Sequence, residues 1–345
     1  MVDNKTGIIF AGNLIMDHYK KVMVYPEEST LTRILDVKNS PGGSAYSSTI
    51  DMARLDKTIP LKVIGVVGDD FDGHQILKSF DSYNSISTKR IRKKGITSYT
   101  DVFENIKNNT RTFFQYMGAN AELDESDFDF SLVTARIIHV GYILLLDKLD
   151  EENDEYGTTL AKVLCDAKQN GIKTSIDIVS ENSDRYEKIV KPTLRYVDYC
   201  IINEYEAQKT TNVSIRDNFG MLNLENCIDA CRELFRYGVE EWVIIHSREG
   251  AVGMNRQEEI FVKNTIKMDI NHIKSTTGAG DAFLAGALYS AYHDYGIEYA
   301  LEMGIATACL SLSVDNPTDG VLCAKQARSF YNESPKEDWE CFRIV

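Results

Sequence analysis

The stretch TTLAKVLCDAKQNGIKTSIDIV, Thr158 to Val179, changes its period halfway along. Leu160, Val163, Leu164 and Ala167 recur three and four residues apart, which predicts an amphipathic helix. Gly171 supplies a C-terminal stop, and IKTSIDIV then reads as a strand. A helix that feeds directly into a β-rich run is one unit of an α/β fold. The same switch recurs elsewhere. LKVIGVVGDD (61–70) predicts a strand running out into a loop, and YVDYCIINEYEA (196–207) a strand that breaks at Asn203. LENCIDACRELFRYG (224–238) predicts a helix with Leu224, Cys227, Cys231, Leu234 and Phe235 on its apolar face. EEWVIIHS (240–247) is again a strand. Such alternation implies a mostly parallel sheet with helices on both faces. Ligands of such sheets bind at the carboxyl ends of the strands.

Two regions, about 14–40 and about 96–117, do not alternate. DHYKKVMVYP, TSYTDVFEN and TRTFFQYMG are β-rich with little helix between them. They form either edge hairpins or a small β lid, and lids exclude water from transfer reactions.

Composition narrows the function. The 345 residues carry a net charge of −14, which argues against nucleic acid and anionic membrane as partners. It leaves open a small anion held locally by backbone amides and a metal. The longest strongly apolar run, IIHVGYILLL (137–146), is far short of a membrane span. The first residues, MVDNKTGIIFAGN, do not have the pattern of a secretory leader. Seven cysteines show no paired-ligand spacing, and Cys227 and Cys231 share the core face of a helix. These features set the expectation of a cytoplasmic protein.

The chemistry concentrates in IKSTTGAGDAFLAGAL, Ile273 to Leu288. Gly278, Ala279 and Gly280 leave backbone N–H groups unobstructed where a helix begins. The first turn of a helix has unpaired donors and a partial positive charge, so it is an anion site. Asp281 stands at that site. A carboxylate beside a bound anion is unfavourable unless it has a task, such as taking the proton of a hydroxyl that attacks phosphorus. The other reading is a plain N-cap aspartate after a glycine turn. Other motifs are absent: there is no G-x-x-x-x-G-K-[ST] and no H-E-x-x-H, and Phe283 stands at the third glycine of G-x-G-x-x-G. His246 and Ser247, neighbours at a strand end, are expected on opposite faces and so make no catalytic pair.

Over nearly its whole length the chain resembles the ribokinase-like (PfkB) carbohydrate kinases. TTGAGDAF (276–283) is close to that family's most specific signature. PGGSAYSSTIDMARLDKTIPLKVIGVVGDDFDG (41–73), with Gly42, Gly43, Gly68 and Asp70, resembles the other signature. AGNLIMD (11–17) resembles the first strand with its sugar-contacting aspartate. TRTFFQYMGAN (110–120) resembles the return from lid to core, and NEYE (203–206) matches N-x-x-E.

The resemblance implies a three-layer sandwich: a mostly parallel central sheet, helices on both faces, and a small β-strand lid. Residues 1–345 would form one kinase domain, with lid strands inserted at about 14–40 and 96–117. It implies an ATP-dependent kinase that transfers the γ-phosphoryl group to a hydroxyl of a small sugar or sugar-like substrate. Asp281 would be the base, and the amides of Ala279, Gly280 and Asp281 would form the anion hole, with Gly278 counted in the same catalytic turn. Asp17, Gly42 and Gly43 would hold sugar hydroxyls. Asn203, Thr277, Gly250 and Gly253 would face the nucleotide, and Glu206 would position Mg²⁺ through water. Ser275 stands where the family commonly has an aspartate that helps hold a monovalent cation, and a neutral serine weakens such a site. Tyr46 and Ser47 stand where ribokinases proper read Ala-Asn, which disfavours ribose. A nucleoside kinase of the same fold is an alternative; it would need an apolar or aromatic slot for a base, which lid residues such as Tyr99, Phe103 and Phe114 leave open. A non-catalytic sugar-sensing relative is another. Small sugar and ATP are the expected ligands, and exposed lid strands offer edges for a homodimer.

Overall fold

The computed structural model describes residues 5–108, 110–131, 134–316 and 318–338. Cys341 lies outside these residues, as do the first four. The central sheet has nine strands: β1 (Ile8–Gly12), β4 (Leu61–Val67), β5 (Ile86–Lys93), β8 (Ile137–Ile143), β11 (Lys173–Ile178), β12 (Tyr199–Asn203), β13 (Trp242–His246), β14 (Gly250–Asn255) and β15 (Ile260–Asn264). Their order is β15-β14-β13-β12-β11-β8-β1-β4-β5. Pairing is parallel from β5 to β13, and the hairpin β13–β14–β15 closes that edge antiparallel.

The continuous apolar character of the parallel strands follows from cover on both faces. Along β1, Ile9 and Ala11 enter one core cluster, with Val163 and Leu164 of α3 (Thr159–Gln169) and Cys227 and Cys231 of α6 (Leu224–Arg236). Ile8 and Phe10 enter the other. It is formed with Met52 of α1 (Ser44–Leu55), Leu284 of α7 (Ala279–Tyr292) and Leu301 of α8 (Ile297–Ser311). Both cysteines are buried in the core, as their helical spacing requires. The remaining helices are α2 (Phe71–Phe80), α4 (Lys191–Thr193), α5 (Glu204–Thr211) and α9 (Ala324–Glu333), and a short hairpin pairs β9 (Glu152–Asn153) with β10 (Gly157–Thr158). Among the described residues no helix is long and apolar enough to cross a membrane.

The two non-alternating regions form a separate four-stranded sheet, ordered β3 (Ile34–Gly42), β2 (Ile15–Val22), β6 (Ser98–Asn105) and β7 (Thr110–Tyr116). It leaves the core where β1 ends. Gly12 there has φ 132°, and a Cβ on it would lie 1.5 Å from the Gly141 carbonyl oxygen of β8. Only glycine lets the two strand ends come this close.

Candidate active site

The site lies at the carboxyl ends of β8, β11 and β12, opposite the first turn of α7. Gly278 caps α7 in the left-handed region, φ 83°, which favours glycine. The preceding turn is held by Ser275, whose hydroxyl oxygen accepts from the Thr277 N–H at 3.2 Å. Asp281 therefore sits in the first helical turn, and its carboxylate is buried. Tyr142, at the end of β8, donates to both Asp281 oxygens at 2.9 Å. Burial, and then the charge of Asp177 on β11, hold the Asp281 carboxyl well above the usual carboxylate range, while the Tyr142 hydrogen bond works the other way.

A cavity of about 330 Å³ is lined by Tyr142, Asp177, Asn203, Glu206, His246 and the Gly278–Asp281 turn. Asn203 and Glu206 are the N-cap and N3 residues of α5 and form a reciprocal capping box. The Asn203 N–H donates to Glu206 Oε2 at 2.9 Å. Asn203 Nδ2 and the Ser180 hydroxyl both donate to Oε1 at 2.7 Å. Burial pushes the Glu206 carboxyl up to about 8. Its oxygens already have protein donors, which fits a group acting on a metal through water rather than as a direct ligand. Among the described residues no set of three or more His, Cys, Asp or Glu converges as ready metal ligands. Beneath the cavity, Asp177 accepts from the Ser44 hydroxyl at 3.2 Å, and His139 bonds Ser175 at 3.0 Å.

A second cavity, about 450 Å³, adjoins the first. Its walls are largely apolar, with Ile266, Met268, Phe283 and Leu312, and it reaches Thr276, Ala279 and Gly280 of the glycine turn. Such a slot suits a flat heteroaromatic base with its phosphates at the helix mouth. His246 lines both cavities and stacks on Phe283 at 4.7 Å. Burial lowers its pKa to about 4, so the ring is neutral. Ser247 lines the same cavity, because the strand ends at His246 and alternation no longer separates the two. Gly250 lies on this wall. Gly253 does not reach it: a Cβ there would meet Ile297 of α8 at 3.0 Å, so this glycine serves strand–helix packing.

On the lid side, Asp17 is buried and pairs in register with Thr100, and burial raises its carboxyl to about 6. A Cβ on Gly42 would lie 2.9 Å from Asp17 Oδ2, and one on Gly43, φ 93°, would lie 2.3 Å from the Asn13 carbonyl oxygen. The glycine pair is therefore needed for close approach beside Asp17. Register puts Tyr19, Thr100, Arg111 and Phe113 on the Asp17 face of the lid. Arg111 donates to the Thr277 hydroxyl at 3.3 Å, linking lid to glycine turn.

Tyr99, Phe103 and Phe114 lie on the opposite face. Tyr99 stacks on His18, and Phe103 meets Phe114 edge-on. They therefore form no slot beside Asp17. Tyr46 is likewise turned away, against Phe80 in the core.

Sequence reasoning did not single out Tyr142, Asp177, His246 as a cavity residue, or Arg111. Asp177 carried a readable signal, an acid near the carboxyl end of an apolar parallel strand. Tyr142 lay hidden in a run read only for its hydropathy.

A buried carboxylate at a helix mouth, between a polar cavity and an apolar slot and roofed by a small sheet, defines an α/β kinase of small molecules. The chain belongs to the pfkB family of carbohydrate kinases, whose model matches residues 5–322. It is thus a phosphotransferase with a carbohydrate-type alcohol as acceptor. It is 25% identical over 343 residues to 5-dehydro-2-deoxygluconokinase of Geobacillus kaustophilus, covering 94% of this chain and 93% of the relative. It is 24% identical over 311 residues to a nucleoside kinase of Methanocaldococcus jannaschii, covering 87% and 88%. The fold is that of the ribokinases. The Arabidopsis thaliana ribokinase solved with ribose and ATP matches with TM-score 0.77 at 17% identity, over 95% of this chain and 99% of that one.

Proposed function

We propose that the chain transfers the γ-phosphoryl group of Mg-ATP to a hydroxyl of a small sugar or sugar acid in the cytoplasm, with Asp281 as the catalytic base. The observation that carries this reading is the position of Asp281. It is buried in the α7 mouth, on the wall of the polar cavity, while its neighbour Gly280 lines both cavities.

In this mechanism the apolar slot takes the adenine, and the amides of the Gly278–Asp281 turn hold the transferring phosphoryl group. Asp17, with the close backbone of Gly42 and Gly43, orients the sugar. Asp281 accepts the acceptor hydroxyl's proton as the new O–P bond forms and ADP leaves. Glu206 and Asn203 would hold the water shell of Mg²⁺, which supplies charge neutralisation at the phosphates. The lid excludes water, and its edge strands β3 and β7 offer a surface for pairing two copies.

The nucleoside reading keeps one point in its favour, the similarity to the archaeal nucleoside kinase. The test is ADP formation with Mg-ATP across a panel of ribose, fructose, 5-dehydro-2-deoxygluconate and adenosine. The expected result is acceptor-dependent turnover with a sugar or sugar acid and none with adenosine. Adenosine-dependent turnover would replace this reading by the nucleoside one. Acceptor binding without any ADP formation would replace it by a sugar sensor.

A further inference from the structure

The carboxyl end of β8 carries a feature that the phosphoryl-transfer scheme above leaves unused. Gly141 packs so near β11 that a Cβ on it would lie 1.8 Å from Asp177 Oδ1 and 2.4 Å from the Ser44 hydroxyl. The next residue, Tyr142, is thereby set beside the α7 mouth. Its phenol has one proton and lies 2.9 Å from each Asp281 oxygen, a three-centre hydrogen bond.

The surroundings of Asp281 are otherwise adverse to a charged base. Asp177 faces it from β11 and Asp17 from β2, and both disfavour its ionised form. Asp51 of α1, fully buried with no hydrogen-bond partner for either oxygen among the described residues, interacts with it as well. Glu206 and His246 share its cavity, and the neutral His246 brings no positive charge. The Tyr142 phenol stands against these groups as a side-chain donor. It stays protonated itself, because burial and then the Asp281 charge hold it well above the usual phenol range.

We infer that Tyr142 is a positioning residue for phosphoryl transfer: its phenol keeps the Asp281 carboxylate ionised and in one orientation, holding one oxygen while the acceptor hydroxyl takes the other. The inference rests on the kinase reading of Asp281. Before the acceptor binds, the phenol proton is shared between both oxygens. On binding, it relaxes onto one and leaves the second free to accept. In the transfer step the acceptor O–H proton passes to Asp281, the acceptor oxygen bonds the γ-phosphorus, and the bond from that phosphorus to the ADP oxygen breaks. Tyr142 neither gains nor loses a proton. A carboxylate with a hydrogen bond to its charged form is the easier one to keep ionised.

The test uses Tyr142→Phe, which removes one oxygen and keeps the ring. One arm needs no turnover. In protein labelled with ¹³C at aspartate carboxyls, the Asp281 resonance is assigned by its loss in Asp281→Asn, and its titration is followed by NMR. The expected result is a midpoint moved to higher pH in Tyr142→Phe by at least about half a pH unit. In the kinetic arm, the acid limb of kcat/KM moves the same way. On that limb, each pH unit of displacement costs about tenfold in rate. Activity recovers toward high pH, and the acceptor KM stays within about twofold of wild type. Replacing Tyr142 by 3-fluorotyrosine, a more acidic phenol and stronger donor, moves both readouts the other way. A midpoint and limb that do not move, with kcat lowered equally at every pH, would make Tyr142 a packing residue and overturn the inference. A lower acceptor KM with a higher kcat would also overturn it, because the phenol would then be occupying the acceptor's place. Failure of the kinase reading looks different: no acceptor-dependent turnover in the wild type, with the NMR arm still deciding whether the phenol holds the carboxylate ionised.

Discussion

The cleft and the lid meet where Arg111 and Tyr19 reach Thr277, and they are built on opposite terms. In the cleft, Asp281, Asp177 and Glu206 are nearly inaccessible, each with hydrogen-bond donors from a neighbouring element. Asp177 ends a strand covered on both faces, and Asp281 and Glu206 lie in the first turns of helices packed on that sheet, so their positions follow from the packing of two large apolar clusters. The lid is a single sheet with one face toward the site. All seven residues of β7 are exposed, and the outer face is fastened by surface contacts such as His18–Asp72 at 3.0 Å. On the proposed mechanism, reaction chemistry sits where the fold is most constrained, and substrate selection where strand side chains can change at little cost to the core.

The largest effect belongs to the cleft. Asp281→Asn removes the base and keeps the shape, so kcat should fall by ~10²–10⁴-fold with KM little changed. The same substitution should raise thermal stability, and more at pH 8 than at pH 5. The sign follows from the raised folded-state carboxyl: burying the ionised form is unfavourable, and that penalty disappears as pH falls. Turnover above half the wild-type value would remove Asp281 from its role.

Asp17 belongs to the lid sheet, and its effect should be smaller and of a different kind. A hydrogen bond to a charged group contributes roughly 1.5–3 kcal/mol, so Asp17→Ala should weaken acceptor binding ~10–100-fold while ATP binding stays intact. Because burial raises this carboxyl to about 6, it protonates as pH falls through that value. Acceptor affinity in the wild type should decline below pH about 6, with the ATP affinity following a different profile. Calorimetry gives both quantities, and a flat acceptor affinity from pH 5 to 7.5 would return Asp17 to a structural role.

How much of this was legible differs between the two regions for physical reasons. Alternation of period exposed the layered sheet, because strands covered on both faces must be continuously apolar and helices must show one apolar stripe. The glycine turn was legible because only glycine permits φ 83° at Gly278 and close approach at Gly42 and Gly43. Tyr142 was not, and Asp177 showed only as an acid near the carboxyl end of an apolar strand, because what they do together comes from β8 and β11 being neighbours although the two residues lie far apart in the chain. In the lid, aromatic residues were visible but their facing was not. Which face Tyr99, Phe103 and Phe114 occupy depends on register with β2, and a shift of one residue would reverse it.

Arg111 tests whether the lid takes part beyond holding the acceptor. It contacts the glycine turn directly, at 3.3 Å from the Thr277 hydroxyl, as Tyr19 of β2 also does, and it lies 3.8 Å from Glu104. Being partly exposed, it is screened by solvent and salt. Arg111→Gln should raise the KM for ATP by ~2–5-fold, more at low salt than at high salt, and leave the acid limb of the pH profile in place. An unchanged KM at low salt would confine the lid's role to the acceptor side.

The smallest effect is expected from monovalent cations. Ser275 is buried ahead of the glycine turn, and its oxygen is already engaged by the Thr277 N–H at 3.2 Å. It therefore offers a cation a hydroxyl with a prior partner and no charge. A carboxylate at this point would attract a cation about 4 Å away by roughly 4 kcal/mol at an effective dielectric of ~20, before desolvation offsets much of it. Without that attraction, K⁺ should bind weakly and add little field at the phosphoryl group. Initial rates should differ by less than about twofold between KCl and tetramethylammonium chloride at matched ionic strength, a residual effect that screening alone can produce. Ser275→Asp should increase the K⁺ dependence if backbone carbonyls near the turn complete the ligand set. Saturable activation of the wild type by tenfold or more would mean that another group supplies the missing charge. Asp51, buried without a hydrogen-bond partner among the described residues and interacting with Asp281, would then be the first residue to substitute.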